Sequence, residues 1–78
     1  MKLEIRTPDK SIFTGEASLV QLPGIDGLFE VLPHHAPMVA ALQKGRVKIQ
    51  DKDSNTQFFD INGGVAEVLH DSILVLAE

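Results

Sequence analysis

PGIDGLFEVLPHHAP, residues 23 to 37, is where the reading of this chain is decided. Two glycines, Gly24 and Gly27, flank Ile25-Asp26, and three prolines frame one short apolar stretch. Glycine gives the backbone access to positive φ, whereas Pro33 and Pro37 fix φ and remove N–H donors on either side of the His34-His35 pair. Between these corners Phe29 and Val31 fall on one face of an extended segment, and Leu28, Glu30 and Leu32 on the other. Such a concentration of turn-forming residues shapes a loop that a partner has to fit.

Outward from this run the apolar period is two, which is the period of strands. Leu3 and Ile5 alternate with Lys2, Glu4 and Arg6, and Thr7-Pro8-Asp9-Lys10 makes a turn with Pro8 at its second position. Ser11 to Thr14 is expected to form a second strand closed by Gly15, and Glu16 to Leu22 a third that stops at Pro23-Gly24. Leu28 to Leu32 and Met38 to Leu42 follow; Pro37 and Gly45 leave the latter too short for a stable helix. Arg46 to Gln50 alternates cleanly, with Val47 and Ile49 inward, and Lys52 to Asn55 is a polar hairpin turn. Thr56 to Ile61 is broken by Gly63-Gly64, read as a tight hairpin or bulge needing positive φ, and Val65 to Leu69 pairs with Ile73 to Ala77. About nine short strands, with no helix long enough for a crossover, predict an all-β sandwich or barrel.

At 78 residues the chain is a single domain spanning 1–78, of a size that buries only roughly 60% of its unfolded surface. Without cysteine it has neither disulfide nor thiolate metal site. Eleven acidic residues against seven scattered basic ones give a net charge of −4, which argues against nucleic acid and anionic lipid as partners. The apolar run from Met38 to Leu42 is about a quarter of the ~20 residues that a spanning helix needs. Met1 reads as a natural start with no export signal behind it.

Candidate chemistry is sparse. Asp51, Asp53 and Asn55 match the first, third and fifth positions of a calcium loop, but Thr56 and Asn62 stand where glycine and a bidentate glutamate are needed. His34, His35 and His70 could offer three imidazoles to zinc only if the loop is kinked, because adjacent strand residues point to opposite faces. His70-Asp71-Ser72 is contiguous, and a catalytic triad needs convergence from separate elements. Gly63-Gly64 opens no helix and precedes no Lys-Ser/Thr, so it is no phosphate cradle. Phe58 and Phe59 face opposite sides of one strand, one of them toward the core. No catalytic residue, metal site or cofactor is expected. The residues by themselves read as a small acidic interaction module, and a free-standing sandwich binding a peptide or sugar is the alternative. That alternative needs an aromatic platform, for which four Phe and no Trp or Tyr are a poor supply.

In order and spacing, Pro23-Gly24, Asp26-Gly27, Phe29, Val31-Leu32-Pro33 and His35-Ala36-Pro37, with Gly45, Asn62-Gly63-Gly64-Val65 and Glu67-Val68, point further. The whole chain resembles the N-terminal domain of the epsilon subunit of rotary F-type ATP synthases, called delta in mitochondria. The resemblance implies a ten-stranded β-sandwich of two five-stranded sheets. It also implies a non-catalytic central-stalk rotor subunit, with the gamma subunit and the polar loops of the c-ring as partners. One copy per complex, a monomer when isolated, is implied, peripheral at the cytoplasmic face of the bacterial inner membrane and touching the membrane only through the complex. Asp26, Gly27 and Leu28 match positions that face the ring, and Thr7, His35 and Ala40 match the gamma-facing strip. The family often has Gly where this chain has Glu30 and His34. Members usually continue into a C-terminal helical hairpin; this chain stops at Glu78, so inhibition and ATP sensing are expected to be absent.

Overall fold

The computed structural model describes all residues, 1–78, and contains nine strands and no helix. They are β1 Lys2–Arg6, β2 Ser11–Glu16, β3 Leu19–Gly24, β4 Gly27–Val31 and β5 Met38–Leu42, then β6 Gly45–Gln50, β7 Thr56–Ile61, β8 Gly64–Val68 and β9 Ser72–Ala77. The strand order is β2-β1-β9-β8-β5-β3-β6-β7, with β4 added on β3. A five-strand half, β2-β1-β9-β8-β5, thus joins a four-strand half, β4-β3-β6-β7, where Gly24 of β3 pairs with Leu42 of β5. All neighbours are antiparallel except β1 and β9, so the first and last strands lie side by side in parallel. The all-β architecture is as the sequence predicts; the strand count is nine rather than ten. The longest stretch without strand pairing is 32–37, where Pro33 and Pro37 have no N–H to give and His34 turns at φ 67°.

The two halves enclose fifteen buried residues, all apolar, among them Leu3, Ile5, Val20, Leu22, Val47 and Val75. Full burial of each such branched side chain stabilises by about 1.5–3 kcal/mol, the main force holding a domain this small. No polar or charged residue is buried, so the core holds no desolvated acid, base or nucleophile. The side of the sandwich bounded by β2 and β7 is closed by Phe13 and Phe59, whose ring centroids are 5.4 Å apart. Phe59 is therefore the inward member of the aromatic pair, and Phe58 is half exposed.

Four expectations about strand ends and turns are corrected. Gly15 does not close β2; it pairs with Leu3 inside the ladder, and the Phe13 ring covers the space a side chain would fill. The break comes at Ala17-Ser18, whose amides donate to the Met1 and Gln50 carbonyls, so β3 starts at Leu19 and not at Glu16. Pro23 and Gly24 do not end β3 but belong to it, paired with Leu28 and Gly27; the Pro23 carbonyl accepts the Gln43 amide at 2.8 Å. Gly63-Gly64 is no hairpin. β7 pairs with β6, and β8 with β5 and β9, so the two glycines carry the chain from one half to the other. Both have positive φ, and a Cβ on Gly64 would collide with the Leu76 carbonyl oxygen.

Candidate functional site

The Pro23–Pro37 run folds into a hairpin followed by a loop. β3 and β4 are joined through Ile25-Asp26, with Gly27 at φ 127° just after the corner. A Cβ on Gly24 would lie 2.8 Å from the Gly27 carbonyl oxygen and 3.0 Å from the Phe29 ring, so the tight approach requires glycine there. The hairpin tip is fixed to the end of β5: the Ile25 amide donates to the Ala41 carbonyl at 3.1 Å, and Gln43 Nε2 to the Gly24 carbonyl at 2.9 Å. Ile25 and Leu28, 60% and 67% exposed, project from a scaffold that is otherwise well tied.

Between this hairpin and β5 runs an open groove of about 470 Å³, lined by Asp26, Gly27, Leu28, Phe29, Val39 and Ala40 among others. The structure therefore brings Asp26, Gly27 and Leu28 together with Ala40. Ala40 itself is half-buried and pairs with the fully buried Ala66; it lies on the same face of β5 as buried Leu42. The residues that β5 turns outward are Val39, 71% exposed, and Ala41.

Thr7 and His35 do not join this cluster. Thr7 follows Arg6 at the end of the five-strand half where Leu42, Gly64 and Ala77 pair. Its Oγ1 accepts the Asp9 and Lys10 amides at 3.2 and 3.3 Å, closing the β1–β2 turn. His35 precedes Met38 at the opposite end, beside Val68 and Ile73, with Nδ1 2.6 Å from the Ala36 carbonyl oxygen. Its neighbour His34 points elsewhere and meets the His70 ring, centroid to centroid 5.4 Å. The three histidines thus do not converge, and no group of three or more His, Cys, Asp or Glu gathers at a metal-sized site. Asp51 is likewise occupied: its Oδ1 accepts the Asp53 and Asn55 amides and its Oδ2 accepts Asn55 Nδ2. These bonds, led by that from the Asn55 side chain, hold its carboxyl below the ordinary value.

One apolar surface escaped the sequence reading. On the outer face of the five-strand half, Ala41, Val65 and Leu76 stand in one row across β5, β8 and β9, with Val39 beside them. Val65 is 41% and Leu76 48% exposed. The signal was present: Met38–Leu42 and Ile73–Ala77 are apolar at every position, the pattern of strands covered on both faces. Within the chain only one of those faces is covered.

The family model for the ATP synthase Delta/Epsilon chain beta-sandwich domain matches residues 1–78. The chain belongs to this family. It is 43% identical over 77 residues to the ATP synthase epsilon chain of Chlorobium limicola, covering 99% of this chain and 88% of that relative. With the epsilon chain of Protochlamydia amoebophila it shares 42% over 76 residues, 97% of this chain but only 52% of the relative. Its fold superposes on a chain of the Euglena gracilis mitochondrial ATP synthase OSCP/F1/c-ring assembly with a TM-score of 0.90 at 21% identity, over 96% of this chain and 48% of that one. A chain of the Tetrahymena thermophila mitochondrial ATP synthase central stalk and c-ring gives 0.73 at 19% identity, over 96% and 62%. This delta/epsilon sandwich thus spans from about half to nearly all of its relatives' length.

Proposed function

We propose that these 78 residues act as the sandwich domain of a central-stalk subunit of an F-type ATP synthase, coupling the gamma subunit to the c-ring. The role is mechanical and non-catalytic. The observation that carries it is the family match along residues 1–78. The geometry supports it: a small rigid body with an apolar core, tight glycine corners and two exposed apolar regions suits a part that transmits torque between two neighbours. The hairpin tip at Asp26, Gly27 and Leu28 is assigned to the polar loops of the ring. Thr7, His35 and Ala40 are assigned to gamma, and because they lie apart on the domain, gamma has to embrace it from the groove around to both sheet ends. In the assembled enzyme the domain is peripheral, at the cytoplasmic face of the membrane, in one copy. No residue of the sandwich is given an inhibitory or nucleotide-sensing part.

The direct test mixes the chain with purified gamma subunit from the same source and follows size-exclusion chromatography at micromolar concentration. A stable co-eluting one-to-one complex is expected. Separate elution of the two at that concentration sinks the assignment.

A further inference from the structure

We propose that the outer face of β6 and β7 is a docking surface for an extended acidic segment of another protein chain, received by Arg46 and Lys48 on a Phe58 platform. The Arg46 guanidinium lies over the Phe58 ring, 4.2 Å from its centroid. That stack is diagonal in the ladder, since Lys48 is the residue directly opposite Phe58 and Asp60 is opposite Arg46. The molecule has two ion pairs, Met1 with Glu16 and Arg6 with Glu4. Arg46, Lys48 and nearby Lys44 therefore have no carboxylate within 4.0 Å, although Asp60 stands on the neighbouring strand.

A guanidinium held over an aromatic ring takes a cation–π contact from the ring and still has N–H donors to offer, which a carboxylate can engage with two parallel hydrogen bonds. Holding the side chain against the ring also removes part of the entropy cost of forming that contact. Residues two apart on a strand are about 6.6–7 Å apart, so Arg46 and Lys48 make a row of two cations at strand spacing, and exposed Lys44 lies in the bend just before the strand. An extended peptide with carboxylates at alternate positions has the same spacing. Phe58, 50% exposed and directly across from Lys48, adds apolar contact beside the row.

A lipid surface fits less well. The chain carries a net −4, and the cation row is flanked by Asp60 on β7 and by Glu30 on β4, which Gln21 Nε2 holds at 3.4 Å. A broad anionic plane would meet all of those carboxylates together with the cations, whereas a narrow strand laid along β6 stays clear of Glu30, two strands away, and meets only Asp60.

The test is an NMR titration of the isotope-labelled 78-residue chain with a capped heptapeptide alternating glutamate and threonine. A block peptide of the same composition is the comparator, and vesicles containing phosphatidylserine are a separate arm. Shifts centred on residues 46, 48 and 58 are expected, with the alternating peptide binding at least threefold tighter than the block peptide. Arg46→Lys keeps the charge but not the planar fork and is expected to cost at least threefold; Phe58→Leu should cost less, and Arg46→Ala most. Both substituted side chains, Arg46 and Phe58, are exposed, so the spectra should retain native dispersion. Equal affinity for the two peptides overturns the proposal, as does an unchanged affinity in Arg46→Ala. Shifts spread evenly over Lys2, Lys10 and Lys52 also count against it, as generic charge attraction. Binding to vesicles without binding to the peptide reassigns the face to lipid and overturns it too.

Discussion

His34 holds φ at 67°, in the left-handed region where side chains are strained, at a position where the family resemblance leads to an expectation of glycine. Histidine tolerates that region better than most residues, and its ring gains the contact with His70. His34→Gly is accordingly expected to change stability by less than about 1 kcal/mol, relief of strain offsetting the lost contact and the added chain entropy. His34→Val, β-branched, should cost about 1–3 kcal/mol. Urea unfolding of the two variants measures both, and equal stabilities would show that the backbone there is unstrained. Glu30, the other such position, sits in regular β4 without positive φ, so the strand itself places no demand for glycine there. Asp51 gives a second residue-scale prediction. Its folded carboxyl titrates below the ordinary 3.8, chiefly through the Asn55 side chain. A depressed folded value contributes stability above the unfolded value, and that contribution disappears as pH falls below it through the folded one. Asn55→Ala should raise the Asp51 titration toward 3.8, followed by its side-chain carbon in NMR, and the variant's stability deficit should narrow below that pH.

At the scale of elements the decisive strand is β5. Its match to the gamma-facing strip makes Ala40 the β5 residue to charge on sequence grounds, Ala40→Asp weakening the partner contact and leaving the fold intact. In the structure Ala40 backs onto Ala66 at the lip of the groove, so that aspartate strains the sandwich as well. Val39 points outward, and Val39→Asp separates the two effects. Its isolated stability should stay within about 0.5 kcal/mol of the parent, as is usual for exposed sites. Gamma association should weaken at least about tenfold, because a buried unpaired carboxylate costs more than the 1.4 kcal/mol that factor represents. Calorimetric titration and thermal unfolding together read both quantities; undiminished binding would remove β5 from the interface. The element scale is also where the sequence was most legible. Alternation in β1, β6 and β7, and the turns at Thr7–Lys10 and Asp51–Asn55, are set by neighbours in the chain and could be read from it. The ends at Gly15, Pro23 and Gly63 could not, because whether a glycine or proline interrupts a strand depends on the strand lying beside it. Leu3 and the Phe13 ring keep Gly15 in its ladder, and Leu28 keeps Pro23 in its own.

For the whole molecule, the parallel pairing of β1 and β9 makes the last strand a central one, with β1 on one side and β8 on the other. Removing residues 73–78 deletes buried Ile73, Val75 and Ala77 and leaves the inner edges of both neighbours unpaired. A domain of this size has too thin a margin to absorb that loss. The truncated chain is expected to show no cooperative thermal transition by circular dichroism and no dispersed NMR spectrum, whereas a retained transition would locate the stabilising core in the four-strand half.

The all-β class, the turn-rich loop from Pro23 to Pro37, the inward and outward members of most strands, and the family are legible in the linear chain. Each of these is carried by local periodicity, by the backbone limits of glycine and proline, or by the order of motifs along the chain. That Asp26, Gly27 and Leu28 share a groove with Ala40, while Thr7 and His35 stand at opposite ends of a sheet, follows from the three-dimensional fold. It alone turned Val39, Val65 and Leu76 outward together, and set Arg46 upon Phe58. These are relations between residues far apart in the chain, fixed by strand order and register, which no local pattern encodes.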